Sequence, residues 1–103
     1  MNRGDVFDVD WPGVGRHPAV IVTREVAIGV LSAVTVALVT STVRGIRTEV
    51  PVGAEHGLDH DCVANCDNLF TVPKSSLARR RGRLGPAELS RLDEALKVAL
   101  GLD

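Results

Sequence analysis

The sequence predicts a mainly β domain: a small antiparallel barrel followed by one C-terminal α-helix. Three observations carry this reading. Short apolar or alternating segments succeed one another through most of the chain with no regular amphipathic helix between them, which disfavours a parallel βαβ layout. Turn formers punctuate the segments. Only after Gly85-Pro86 does the apolar spacing change to a helical period.

Val6-Phe7-Asp8-Val9-Asp10-Trp11 alternates, with Phe7, Val9 and Trp11 on one face and Asp8 and Asp10 on the other, as in a half-buried strand. Pro12-Gly13-Val14-Gly15 is a turn. Ala19-Val20-Ile21-Val22 and Val34–Thr40 are continuous apolar runs and read as strands covered on both faces. Thr48-Glu49-Val50-Pro51-Val52 alternates again, and Pro51 places it at a sheet edge, because proline cannot donate to a ladder. Asp61–Asn65 and Leu69–Val72 read as two short strands or one interrupted strand. Pro86 opens the helix where a missing N–H costs nothing. Leu89, Leu92, Leu96 and Leu100, with Ala95 and Ala99, form its apolar stripe. Asp93 and Lys97 are spaced to pair on the outside, and Gly101 is the expected stop.

The chain has 103 residues, 45% of them hydrophobic, which fits one domain spanning 1–103 and excludes wholesale disorder. A net charge of −1 excludes a uniformly basic nucleic-acid binder but allows local basic patches. Two cysteines are too few for a disulfide scaffold. Asp5, Asp8 and Asp10 interrupt any early apolar run, so a cytoplasmic protein is expected. The 18 uncharged residues Val26–Val43 reach the lower limit for a membrane span, but their Gly, Ser, Thr and Val content favours a buried strand with its connections. No membrane association is expected.

The stretch "HGLDHDCVANC" at His56–Cys66 holds two histidines and both cysteines. A structural zinc needs the chain to fold round the ion, usually from two knuckles with a long spacer. Here all four groups fall on one turn and one strand. Cys62, Ala64 and Cys66 share a strand face and read as core, with His56 and His60 solvated. Neither metal nor cofactor is expected.

The order of pieces carries a resemblance. "RGDVFDVDWP" at Arg3–Pro12, "GRHPAVIVT" at Gly15–Thr23, "VTVALVTST" at Val34–Thr42, "LDHDCVANCDNLFTVPKSSL" at Leu58–Leu77 and "GRLGPAELSRLDEALKVAL" at Gly82–Leu100 resemble the MazF/PemK toxin endoribonucleases of bacterial toxin–antitoxin pairs. Each piece alone is weak; their order over nearly the whole chain is specific. The resemblance implies an SH3-like (plasmid-maintenance-toxin-like) barrel, usually a homodimer, that cleaves single-stranded RNA at short sequences without metal and is neutralised by a cognate antitoxin. The 2′-hydroxyl is the implied nucleophile, leaving a 2′,3′-cyclic phosphate, which explains selectivity for RNA over DNA.

In the family an Arg directly before the proline and a Thr in the V-T element occupy the site. Thr40 matches the Thr. The slot before Pro18 holds His17, with Arg16 one residue earlier, and the preceding loop is short. Arginine holds phosphate well but is a poor general base, whereas histidine suits both acid and base roles. Adjacent strand residues point oppositely, so both enter the site only if this end is loop. Arg16, His17 and Thr40 are the candidate catalytic residues. Trp11 ends its strand beside the short loop and is the candidate to stack on a base or to join the core. Ser41, Arg44 and Arg47 follow the V-T element, Asn68 falls where the family often carries a Gln, and Arg79, Arg80 and Arg81 form a basic run; these complete the candidate RNA-binding set. A toxin on the same barrel that poisons a protein target such as DNA gyrase is the alternative, because fold does not fix function.

Overall fold

The computed structural model describes residues 1–102. Strands β1 (Asp5–Trp11), β2 (Gly15–Ile21), β3 (Ala33–Thr40), β4 (Glu49–Val52), β5 (Cys62–Pro73) and β6 (Leu77–Arg83) form one six-stranded sheet in the order β4-β5-β3-β2-β1-β6. Every pairing is antiparallel. Helix α1 (Glu25–Ile28) is a single turn between β2 and β3, and α2 (Pro86–Leu100) ends the fold. The barrel with its C-terminal helix is therefore as expected. The Val26–Val43 stretch is divided between α1 and β3, and no helix among the described residues is long and apolar enough to cross a membrane.

Strand alternation sorts the apolar residues into two clusters. One face carries Val6, Val20, Ala37, Val39, Val50, Val52, Cys62, Ala64 and Cys66, packed against Leu84, Leu92 and Ala95. The other carries Val9, Ala19, Ile21, Val34, Val36 and Val72, with Ile28 of α1 against them and Phe7, Trp11 and Leu77 at the margin. Pro51 does lie in an edge strand. Asp61–Asn65 and Leu69–Val72 prove to be one strand, interrupted between Leu38/Asn65 and Ala37/Leu69 by a bulge at Cys66, Asp67 and Asn68.

The sheet curls until its ends meet. The short 3₁₀ turn Ala54–His56 after β4 lies against β6. Gly57 has φ +84, and a Cβ there would stand inside van der Waals contact of the Arg81 carbonyl oxygen. A Cβ at Gly82 would meet the His56 carbonyl in the same way. Arg81 Nε donates to Gly57 O at 3.0 Å across this seam.

Three expectations are corrected. His56 is buried rather than solvated: its Nδ1 accepts the Gly53 N–H at 3.0 Å, and its Nε2 lies 3.5 Å from Glu88 Oε1. The same Glu88 oxygen accepts the Gly85 N–H at 2.8 Å, and that bond, followed by His56, holds the Glu88 carboxyl below its usual range against the opposing pull of desolvation. Asp93 bridges to Arg3 at 2.8 Å instead of Lys97, which pairs with Glu94. The α2 stripe also ends before Leu100, which is 56% exposed.

Cys62 and Cys66 are buried in the first cluster as free thiols. Burial, with the Asp67 carboxylate adding to it and Arg3 opposing, pushes the Cys66 thiol up to about 11. Burial and the Asp61 and Asp59 carboxylates also raise Cys62. Thiolate is the reactive form. Native protein at pH 7 is therefore expected to react with a chromogenic disulfide reagent at least ~100-fold more slowly than protein unfolded in denaturant, since reaction awaits opening. Equal rates would contradict the packing.

Candidate active site

β1 and β2 form a tight hairpin: Val14 N–H donates to Trp11 O at 3.0 Å, and Gly13 takes φ +76. Its register sets Asp10 opposite Arg16 and Val9 opposite His17. Both Arg16 and His17 lie within β2, so their side chains leave from opposite faces. Arg16 Nε reaches Asp10 Oδ1 at 2.8 Å on one face. On the other, His17 joins Trp11, Val14, Leu38 and Phe70 round an apolar notch of about 410 Å³.

The pairing of β2 with β3 runs only from Ile21/Val36 to Ala19/Leu38. Pro18 has no N–H with which to extend it. Beyond that point the hairpin end leans toward β5, where Trp11 meets Phe70 edge-on with ring centroids 5.1 Å apart. Thr40 lies two residues past Leu38, on the same face of β3. Its Oγ1 accepts the Thr42 N–H at 3.1 Å, which leaves the hydroxyl proton free to donate. The fold thus gathers Trp11 and His17 beside the strand that carries Thr40. It puts Arg16 on the opposite face.

The loop after Thr40 is tied down from beneath. Glu49 is 2% exposed, and its carboxylate accepts N–H groups of Arg44 (3.1 Å), Gly45 (2.8 Å) and Ile46 (3.4 Å). No cation neutralises it among the described residues; the backbone donors do so instead. This fixes where Arg44 leaves the chain, close after exposed Ser41. Arg47 departs from the notch and lines a shallow depression with Arg91, Glu94, Ala95 and Val98 of α2.

Asn68 is exposed in the β5 bulge, and Asp67 next to it accepts the Thr48 hydroxyl at 2.6 Å. The basic run Arg79–Arg81 lies in strand β6, an element not expected from the sequence, and is paired with β1. Arg81 meets Asp8 at 3.1 Å and Asp59 at 3.5 Å, and Arg80 meets Asp5 at 3.4 Å. Arg79 is exposed and, like Arg83, has no carboxylate partner among the described residues.

Sequence reasoning missed Leu38, Phe70 and Val14 as notch residues and Glu49 as the loop anchor. Phe70 carried a signal, since it alternates with Leu69 onto the face opposite the α2-side core. Glu49 carried none, because its burial depends on a loop folding back. No three His, Cys, Asp or Glu side chains converge on a common point among the described residues.

Residues 2–100 match the family of PemK-like, MazF-like toxins of type II toxin-antitoxin systems. The chain belongs to this family. Among its relatives, Endoribonuclease MazF3 of Mycobacterium tuberculosis is 46% identical over 87 residues, 84% of each chain. Probable endoribonuclease MazF2 of the same organism is 35% identical over 102 residues, 98% of this chain and 99% of that one. Two solved structures show the same MazF barrel. The Mycobacterium tuberculosis toxin MazF-mt6 superposes with a TM-score of 0.88 at 40% identity, over 96% of this chain and 98% of that one. An endoribonuclease in complex with its cognate antitoxin, from a mycobacterial species, gives 0.89 at 33% identity, over 100% and 97%.

Proposed function

We propose that this chain is the endoribonuclease toxin of a toxin–antitoxin pair, and that it cuts single-stranded RNA at particular sequences in the cytoplasm. The observation that carries the reading is His17: it occupies the family's slot before the proline and turns toward the face of β3 that holds Thr40. In the reaction the 2′-oxygen attacks the adjacent phosphorus while the bond to the 5′-oxygen breaks. The 2′-hydroxyl proton leaves to a base, a proton reaches the departing 5′-oxygen, and the products are a 2′,3′-cyclic phosphate and a 5′-hydroxyl. His17 is the proton-transfer group, and the Thr40 hydroxyl donates to a non-bridging phosphate oxygen. Arg44, on its anchored loop, supplies positive charge to the crowded phosphorus. Arg16 faces Asp10 across the hairpin, so its charge at the rim is largely balanced. Ser41, Asn68 and Arg79 extend the RNA contact along the groove; Arg80 and Arg81 are largely committed within the molecule, and Arg47 serves the α2 side.

Incubating the purified protein with a long RNA in EDTA tests this. Discrete fragments ending in cyclic phosphate are expected. Intact RNA, 5′-phosphate ends, or activity restored only by added metal would overturn it, and intact RNA with arrested DNA supercoiling would point to the gyrase-poison alternative.

The partner reading has its own test. Val26 and Val30 are each 82% exposed, and Leu31 and Leu100 line an open groove between the segment that follows α1 and the end of α2. A second copy covering this surface makes the homodimer. Leu100→Glu is expected to raise the dimer dissociation constant by on the order of 100-fold in sedimentation experiments, through burial of a charge. A monomeric parent protein at micromolar concentration would refute the assignment.

A further inference from the structure

The notch that holds His17 contains a group that the reaction above does not use. Trp11 stands edge-on to Phe70 at an interplanar angle of 70°. In that arrangement its indole Nε1–H is buried with no hydrogen-bond partner among the described residues. A buried donor without an acceptor is costly, and turning the indole outward relieves the cost. Phe70 is 43% exposed and Val14 69%, so the aromatic pair covers the notch without sealing it.

The hairpin end that carries Trp11 has no backbone pairing to β3. The ladder from β2 to β3 stops at Ala19/Leu38, and Gly13 and Gly15 take φ +76 and +105 at the turn. Lifting the tip breaks no bond between β2 and β3.

We propose that the Trp11–Phe70 pair is the closed form of a clamp for one unstacked nucleobase. When RNA binds, the tip lifts, the indole turns its face onto the base, and Phe70 covers the other side. Trp11 Nε1 then reaches solvent or a base acceptor. The proposal rests on the ribonuclease reading and adds to it a base subsite at His17, which positions the neighbouring phosphate. Such a subsite excludes duplex RNA, whose bases stay stacked, and it accepts more than one base, because every base has a π face.

Trp11 is the only tryptophan in the chain, so its fluorescence reports the clamp directly. The probe is a short random-sequence 2′-O-methyl RNA, whose blocked nucleophile prevents cleavage, with binding followed separately by anisotropy. Trp11 emission is expected to be quenched in step with binding. Phe70→Leu keeps the apolar bulk but loses the ring, and it should weaken binding by on the order of tenfold, while Phe70→Tyr binds as the parent does. Unchanged emission at saturation, or parental affinity in Phe70→Leu, overturns the clamp. Should Phe70→Leu fail to fold, the emission of the parent protein decides alone. A parent protein that cuts RNA in EDTA with silent emission defeats the clamp only; one that neither binds nor cuts RNA defeats the ribonuclease reading with it.

Discussion

His17→Ala is expected to lower kcat by on the order of 100-fold or more with little change in KM, because general acid–base groups contribute roughly that much or more to the chemical step and little to ground-state binding. The parent enzyme's pH–rate profile should contain a limb that vanishes in the variant. A limb of unchanged shape in His17→Ala would show that the ring only packs against Leu38 and Phe70. Thr40→Ala should cost about tenfold and Thr40→Ser much less, since serine keeps the donating hydroxyl. Arg16→Ala separates the two candidates that the sequence leaves side by side. With Arg16 on the far face of β2 and bound to Asp10, its loss should fall on KM. A collapse of kcat in Arg16→Ala with full activity in His17→Ala would reverse the assignment.

Gly57→Ala is expected to destabilise the fold by about 3 kcal/mol or more. Two penalties add: a left-handed backbone that alanine tolerates poorly, and a methyl group driven into the Arg81 carbonyl on the rigid neighbouring strand. For a domain of this size the melting temperature should fall by roughly 12 °C or more. Gly101→Ala, which also has positive φ but open space around it, should cost only about 1 kcal/mol. Equal melting temperatures for the two variants would show that the seam between the 3₁₀ turn and β6 is not closely packed.

Local pattern made much of this fold legible. The alternation of Val6–Trp11, the apolar runs in β2 and β3, the edge proline of β4 and the Pro86-to-Gly101 helix are signals that a few neighbouring residues carry. What escaped depends on contacts distant in sequence. β6 reads as a basic run because its arginines find their carboxylates on β1, more than seventy residues earlier. His56 looks like a polar loop residue until Gly53 and Glu88 close on it. α1 is one turn long, too short for a period to show. The site was partly visible for the same reason: the slot before Pro18 and the V-T element are contiguous motifs. Strand parity sends Arg16 and His17 to opposite faces, but which of them lines the notch needed the lean of the hairpin toward Phe70.

The pairing of β6 with β1 also decides how the protein meets a polyanion in salt. A guanidinium already facing a carboxylate contributes little when a phosphate arrives, because its charge is largely balanced and it releases fewer of the cations condensed on the nucleic acid. Each phosphate neutralised on a single strand steepens the dependence of log K on log salt by about 0.7. Of the four arginines in β6, Arg80 and Arg81 are spent in this way, so the slope should be shallower than the charge count suggests by roughly 1.4. Passing RNA is then held weakly at physiological ionic strength and released quickly. On the proposed site, discrimination between sequences would rest on the few side chains around His17, and the protein would sample many transcripts before it settles on one.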